Sequence, residues 1–299
     1  MTELRATSAD GTLVTALDDG SGPALLLVHG GGEDPGSWDG VTAALVEDFR
    51  VVRINRRIYA DGAPAAGAAH SCAVEAADVL AVAAALGQPA LLVGHSSGAI
   101  AALEAALVDP SAFRGLFLYE PPVPSRSQVG GVAAVRATAA LEAGDATGAV
   151  RIQLRDIVGL PAAQVETLLR DPGTRRLLTR RAAAQAADIR ALDALGVGTG
   201  RFTGLRLPAT LLEGGQSPAH LRERLADLAA ALPDAQVVTL PGCGHTAHRS
   251  APRTVARKIR EAAVAVLGLP GGPGGDGRGE GQGVSPAQSQ RLGSAGRGA

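Results

Sequence analysis

The sequence predicts an α/β protein built on a mostly parallel sheet, and three observations predict it. Short apolar runs alternate with longer helical ones along the chain. A serine stands between two glycines where one such run gives way to a helix, in "LLVGHSSGAIAAL". The stretch 123–206 breaks the alternation with helical patterning alone. Strand, helix, strand in repetition implies parallel neighbours, which need a crossover connection, usually helical, and so cover the sheet on both faces.

The strand-like runs fall at 13–17, 24–29, 50–54, 90–94, 115–119, 209–213 and 236–240. Helical patterns lie between them at 38–47, 74–86, 97–107, 219–232 and 252–267. Within 123–206 the helical stretches 162–170 and 175–195 are rich in Arg, Ala and Leu and are punctuated at Pro161 and at Pro172 with Gly173. The expected organisation is a core of residues 1–122 and 207–267, with a helical cap, 123–206, inserted over one edge of the sheet. Residues 268–299, rich in Gly and Pro with little to bury, read as a disordered tail.

At 299 residues, 46% apolar and net charge −1, the chain has enough apolar surface for a large core and no charge excess that points to nucleic acid or anionic membrane. Cys72 and Cys243 lie far apart and match no metal-ligand spacing, so two free thiols are expected, as in a reducing interior. The start, MTELRATSADG, lacks an apolar core after a basic segment, and no apolar stretch approaches about eighteen residues. A soluble, cytoplasmic protein is the expectation. Aromatic residues make up 2% of the chain, so a pocket would be lined by aliphatic side chains, and recognition by ring stacking is disfavoured.

The chemistry starts at the joint between 90–94 and 97–107. A tight strand-to-helix turn leaves no room for neighbouring side chains. Gly94 and Gly98, two residues either side of Ser96, let the serine take a strained backbone with its hydroxyl exposed. Ser96 is the candidate nucleophile, and the N–H of Ser97, at the helix start, can face a developing negative charge. A scrambled chain of this composition would hold G-x-S-x-G with a chance of roughly one in four, so the pattern alone is weak. Two further segments strengthen it. "LLLVHGGGEDPGSW" ends a strand in His29, Gly30, Gly31 and Gly32, and Gly31 is the choice for a second N–H donor. "VVTLPGCGHTAH" ends a late strand in a Gly-rich turn that delivers His245 as general base, with His248 as the rival.

These segments in this order resemble the α/β-hydrolase superfamily over about residues 11–267, with the cap inserted after the sixth strand. The likeness is nearest to capped bacterial hydrolases, whose early segments read much like HGGG…SW, GHSSG and LYEPP here. The resemblance implies that His29 neighbours the oxyanion hole and that His95 supports the elbow. It also implies an acid after the strand that follows the cap. That loop reads Glu213-Gly214-Gly215-Gln216-Ser217-Pro218, with Ser217 where an aspartate would stand. Some members carry the acid one strand earlier, which selects Glu120, at the end of "GLFLYEPP", with Glu213 as the alternative. A triad without its carboxylate loses up to about ten-thousandfold in rate, so a replacement is required.

Other residues carry lighter expectations. Arg56 and Arg57 read as surface or salt-bridge residues, with substrate-anion binding as the alternative. Arg175, Arg176, Arg180 and Arg181 are spaced as a solvated helix face. Trp38 packs under the oxyanion loop or forms pocket wall, and Cys243 packs rather than reacts. The function implied is a serine hydrolase, without metal or organic cofactor, acting through an acyl-enzyme on an ester, lactone or thioester of a small apolar substrate. Serine rather than aspartate at the elbow argues against dehalogenase and epoxide-hydrolase chemistry. A cofactor-free lyase or cyclase and a non-catalytic ligand-binding homologue stay open as alternatives. Substrate identity and oligomeric state are not legible.

Overall fold

Every residue of the strand Ala24–Val28 is buried, and the rest of the protein is laid out around it. The structure, a computed structural model, describes residues 1–60 and 70–269. Eight strands form one sheet: β1 (Thr2–Thr7), β2 (Leu13–Asp19), β3 (Ala24–Val28), β4 (Arg50–Asn55), β5 (Ala90–His95), β6 (Phe113–Tyr119), β7 (Ala209–Gly214) and β8 (Ala235–Leu240), in the order β1-β2-β4-β3-β5-β6-β7-β8. β1 with β2 and β2 with β4 pair antiparallel, and all later pairs are parallel. β1 is the strand that apolar patterning does not announce, since Ala6 alone of its six residues is buried.

The helices are α1 (Asp39–Thr42), α2 (Cys72–Leu86), α3 (Ser97–Val108), α4 (Gly131–Glu142), α5 (Ala146–Ile152), α6 (Ala162–Arg170), α7 (Pro172–Asp193), α8 (Ala219–Ala231), α9 (Ala247–Ser250) and α10 (Pro252–Leu267). Side chains of a strand alternate between its two faces. Leu26, Val28 and Leu92 therefore meet α2, α3 and α8. Leu25, Leu27, Leu91 and Val93 turn the other way, onto α1 and α10. The helix expected over 38–47 is shorter: a 3-10 turn over Pro35–Trp38 leads into the single turn of α1, and the chain continues in turns to Phe49. Gly40 and Thr42 propagate a helix poorly. Trp38, Val41, Leu45 and Phe49 still reach the core at three- and four-residue spacing.

Residues 123–206 carry α4 to α7 and no strand. Asp171 caps α7 by accepting from the N–H of Thr174 (2.7 Å), and Pro172 occupies its first position, where a missing N–H costs nothing. The break at Pro172 is thus a helix start. After β3 the chain runs outward to β4 and then returns to place β5 on β3's other side. Ligands of open α/β sheets bind beyond the carboxyl ends of the strands at such a reversal. Among the described residues no helix is long and apolar enough to cross a membrane. The tail expected at 268–299 lies, from 270 on, outside the described residues.

Candidate active site

At the carboxyl end of β5, Ser96 takes φ 51° and ψ −127°. The crowding that demands glycine on either side is direct. A Cβ on Gly94 would sit 2.5 Å from Ala99 Cα, and one on Gly98 would sit 2.2 Å from the His29 carbonyl oxygen. Ser96 is held by its own N–H, which donates to the Tyr119 carbonyl (2.9 Å). Ser97 opens α3, so its N–H belongs to the first turn, which has no acceptor within the helix.

One strand over, Glu120 follows β6 with φ 45° and is fully buried. Its Oε1 accepts from the N–H of Gly214 (2.7 Å), and its Oε2 from His245 Nδ1 (2.5 Å). Burial pushes Glu120 up, but the His245 contact prevails and holds it below its usual value. Burial lowers His245, against the opposing pull of Glu120. The Ser217 hydroxyl lies near the same carboxyl and favours its charge, without closing a hydrogen bond to a described group. Glu213 turns away: its Oε1 accepts from Thr239 Oγ1 (2.7 Å) on the exposed side of β8.

The loop after β3 is tied to both neighbouring strands. His29 is buried, with Nδ1 donating to the Gly30 carbonyl (2.9 Å) and Nε2 accepting from the Arg56 N–H (3.4 Å), and burial pushes it down to about 4. Glu33, which the sequence does not single out, accepts from the Gly30 N–H (3.1 Å) and His248 Nε2 (3.1 Å) and lies 3.2 Å from His95 Nδ1. Burial would raise Glu33, yet these two histidines hold it well below its usual value. His95 Nε2 donates to the His245 carbonyl (2.9 Å). His248 is therefore bound to Glu33 and is not among the side chains that line the cavity beside Ser96. Trp38 packs beneath, its ring 5.0 Å from that of His248. Glu33, His95 and His248 have ligating atoms within 4.8 Å of one another, and Glu33 lies at hydrogen-bond distance from both histidines.

Ser96, Ser97, Gly31 and His245 border one cavity of about 1270 Å³. Its far wall comes from 123–206 and includes Leu154, Ile157, Leu160, Leu168, Leu177 and Ile189. Cys243 also borders it, and both cysteines are free.

The arginine expectations hold in part. Arg56 is a salt-bridge residue as expected, but a buried one and not a surface one: it is 1% exposed and bonded to Glu75, Asp188 and Ser97. Its core position after β4 explains this, because only a fully paired guanidinium is tolerated there. Arg57 takes the outer place and pairs with Asp10 and Asp78. Arg181 leaves the solvated face on which its spacing puts it, donating to the Gly32 carbonyl (2.9 Å) and to Asp34 Oδ2 (2.9 Å). Asp188 and Tyr59, which join Arg56, lie outside every local motif, and no sequence signal marks them.

A sequence model of the alpha/beta hydrolase family matches residues 25–258. Over 99 residues the chain is 39% identical to a pimeloyl-[acyl-carrier protein] methyl ester esterase of Methylococcus capsulatus, a match that spans 33% of this chain and 37% of that protein. An alpha/beta hydrolase from Sphaerobacter thermophilus superposes with a TM-score of 0.75 at 27% identity, over 86% of this chain and 100% of that one. A thermophilic esterase from Thermogutta terrifontis shares the fold at a TM-score of 0.69 and 21% identity, over 89% and 99%. With the matched span covering most of the sheet and the Ser96 joint, the chain belongs to the alpha/beta hydrolase family.

Proposed function

We propose that this hydrolase is a serine hydrolase cleaving an ester, lactone or thioester of a small, largely apolar substrate through an acyl-enzyme. His245 takes the Ser96 proton, and Ser96 attacks the carbonyl carbon. The N–H groups of Gly31 and Ser97 receive the oxyanion, which collapses as the carbon–oxygen or carbon–sulfur bond breaks and His245 gives its proton to the departing alcohol or thiol. Water, deprotonated by His245, then attacks the acyl-enzyme, and the acid leaves as His245 returns the proton to Ser96. Glu120 fixes the His245 ring with Nδ1 as donor, which leaves Nε2 as the base and steadies the imidazolium when it forms. Residues 123–206 act as the cap whose aliphatic wall receives the apolar part of the substrate.

The observation that carries this reading is the buried 2.5 Å bond between His245 and Glu120, opening on the same cavity as a serine held at positive φ. The Methylococcus relative is named for methyl ester hydrolysis, which agrees with the reaction class. A fluorophosphonate probe tests it. Stoichiometric labelling that maps to Ser96 is expected, and an intact protein that refuses the probe would turn the assignment toward the non-hydrolytic chemistries of this scaffold.

A further inference from the structure

α7 belongs to the inserted segment, and one stripe of its side chains, Arg181, Gln185 and Asp188, borders the cavity and runs from it down to the loop after β3. Asp188 is 2% exposed. Its Oδ2 accepts from Ser97 Oγ (2.7 Å) and from the Tyr59 hydroxyl (2.9 Å). Its Oδ1 accepts from Arg56 Nη2 (2.8 Å) and lies 3.4 Å from His70 Nε2. Arg56 closes the ring: Nη1 donates to Ser97 Oγ (2.9 Å) and to the His29 carbonyl (3.4 Å), and Nε donates to Glu75 Oε2 (2.8 Å). Burial would raise Asp188, but Arg56 and His70 hold it well below the usual carboxylate range, so it stays charged.

This ring closes around Gly31. A Cβ placed on that residue would lie 3.3 Å from Ser97 Oγ, 3.4 Å from the Tyr59 hydroxyl and 3.5 Å from Asp188 Oδ2. One and two turns back along α7, Gln185 and Arg181 continue the same face, as spacings of three and four residues require. Gln185 Oε1 lies 3.1 Å from the place a Cβ on Gly32 would take, and Arg181 holds the Gly32 carbonyl and Asp34.

We propose that Asp188 is a positioning residue for the oxyanion hole, joining the inserted helix α7 to Ser97 and to the flank of Gly31 so that both N–H donors face one point. Although Asp188 borders the cavity, both its carboxylate oxygens are engaged by Ser97, Tyr59 and Arg56, so in this role it takes no part in the bond changes. It acts through Ser97, whose hydroxyl it holds while the N–H of the same residue stays free to bind the oxyanion. The inserted segment is then part of the catalytic framework as well as a wall, and hydrolysis depends on its seating against β3 and β5. The proposal rests on the assignment of Ser96 as nucleophile with Gly31 and Ser97 as donors.

Asp188→Asn keeps the shape and removes the charge, and Arg56 keeps Glu75 as its counter-ion. With p-nitrophenyl butyrate the expected result is a kcat lower by about ten- to a hundredfold, less than the loss of a whole oxyanion donor. KM should stay within about twofold, and the acid limb of the pH profile should not move. Ser97→Ala breaks the same bond from the other side and should give the same loss, with the double variant no worse than the worse single one. If Asp188→Asn does not fold, Ser97→Ala still reads the bond. A kcat within about twofold of wild type in a folded variant, a loss carried by KM, or a moved acid limb overturns the proposal. A wild-type protein that refuses fluorophosphonate overturns the serine assignment instead. Wild type and Asp188→Asn labelled at equal rates overturn this inference alone.

Discussion

Ser96 and Glu120 are neighbours across the β5–β6 ladder, each one step past the register pair His95 and Tyr119, and both have positive φ, 51° and 45°. Among the described residues they are the two non-glycine positions that do. Such backbones cost about 1–3 kcal/mol each and persist where the surroundings enforce them. Here each is held by its own N–H, Ser96 to the Tyr119 carbonyl and Glu120 to the Leu212 carbonyl. The strain thus falls on the two residues proposed as nucleophile and orienting acid, at adjacent strand ends, one bordering the same cavity as His245 and the other bonded to it.

Ser96→Ala is expected to remove turnover and probe labelling while thermal melting stays within about two degrees of wild type. Ser96→Gly should be equally inactive but more stable by about 1 kcal/mol, a rise in Tm of about 2–4 °C, because glycine takes the left-handed backbone without strain. Calorimetry beside a turnover assay checks both. A melting point that drops in Ser96→Gly would mean that the backbone there is not under strain.

Glu120→Gln is expected to lower kcat by about a thousandfold or more, with KM little changed, since the amide no longer stabilises the imidazolium and can hold the wrong tautomer. Glu213→Gln should leave kcat within about twofold, because that side chain is engaged with Thr239 and not with His245. Steady-state kinetics on the two variants separate the carboxylates. Similar losses in both would point to an acid other than Glu120.

Much of the sheet is legible in the sequence because buried parallel strands read as unbroken apolar runs, as at 24–28 and 90–94. The Ser96 joint is legible because the glycines it needs are local. β1 is not, since an edge strand with one buried residue has almost no apolar signal. Glu33 is silent because its partners His95 and His248 lie 62 and 215 residues away, and Asp188 because its partner Arg56 is 132 residues distant. The adjacent Arg56 and Arg57 show the limit well. Identical in type, one is buried in the core and the other is partly exposed, and only the packing of α2 and α7 decides which.

Activity should fall on acidification with a midpoint below 6.5. His245 must be neutral to accept the Ser96 proton, and burial lowers its pKa from that ordinary value more than Glu120 raises it. Protonation therefore sets in at lower pH than for a free imidazole. The pH profile of kcat/KM, taken where the protein remains folded, checks this. A midpoint above 7 would show Glu120 outweighing burial.

Stability should also fall on acidification, with a slope that His29 contributes. Its folded pKa is about 4 against 6.5 for the exposed ring, so the unfolded chain binds the proton first. The neutral ring's contribution is fully present above 6.5 and is lost progressively as pH falls toward 4, at about 1.4 kcal/mol per pH unit. Urea titrations at pH 7 and pH 5 measure it. His29→Gln should lower stability at pH 7 but show a shallower loss between the two, and an unchanged slope would remove His29 as the cause.

The contact at Gly98 sets the sharpest steric demand near the site. A methyl group there would stand 2.2 Å from the His29 carbonyl oxygen and 2.6 Å from that of Val28, backbone atoms at the end of the central strand β3 and in the residue after it. Gly98→Ala is therefore expected to cost about 3 kcal/mol or more and to displace Ser97 and the first turn of α3, so that probe labelling of Ser96 fails even in the folded fraction. Gly200→Ala adds the same methyl where no atom lies within 4 Å and should change stability by less than about 0.5 kcal/mol. Chemical denaturation of the pair measures the difference. If Gly98→Ala were as stable and as reactive as Gly200→Ala, the close approach of the elbow to β3, and with it the joint placement of Gly31 and Ser97, would have to be abandoned.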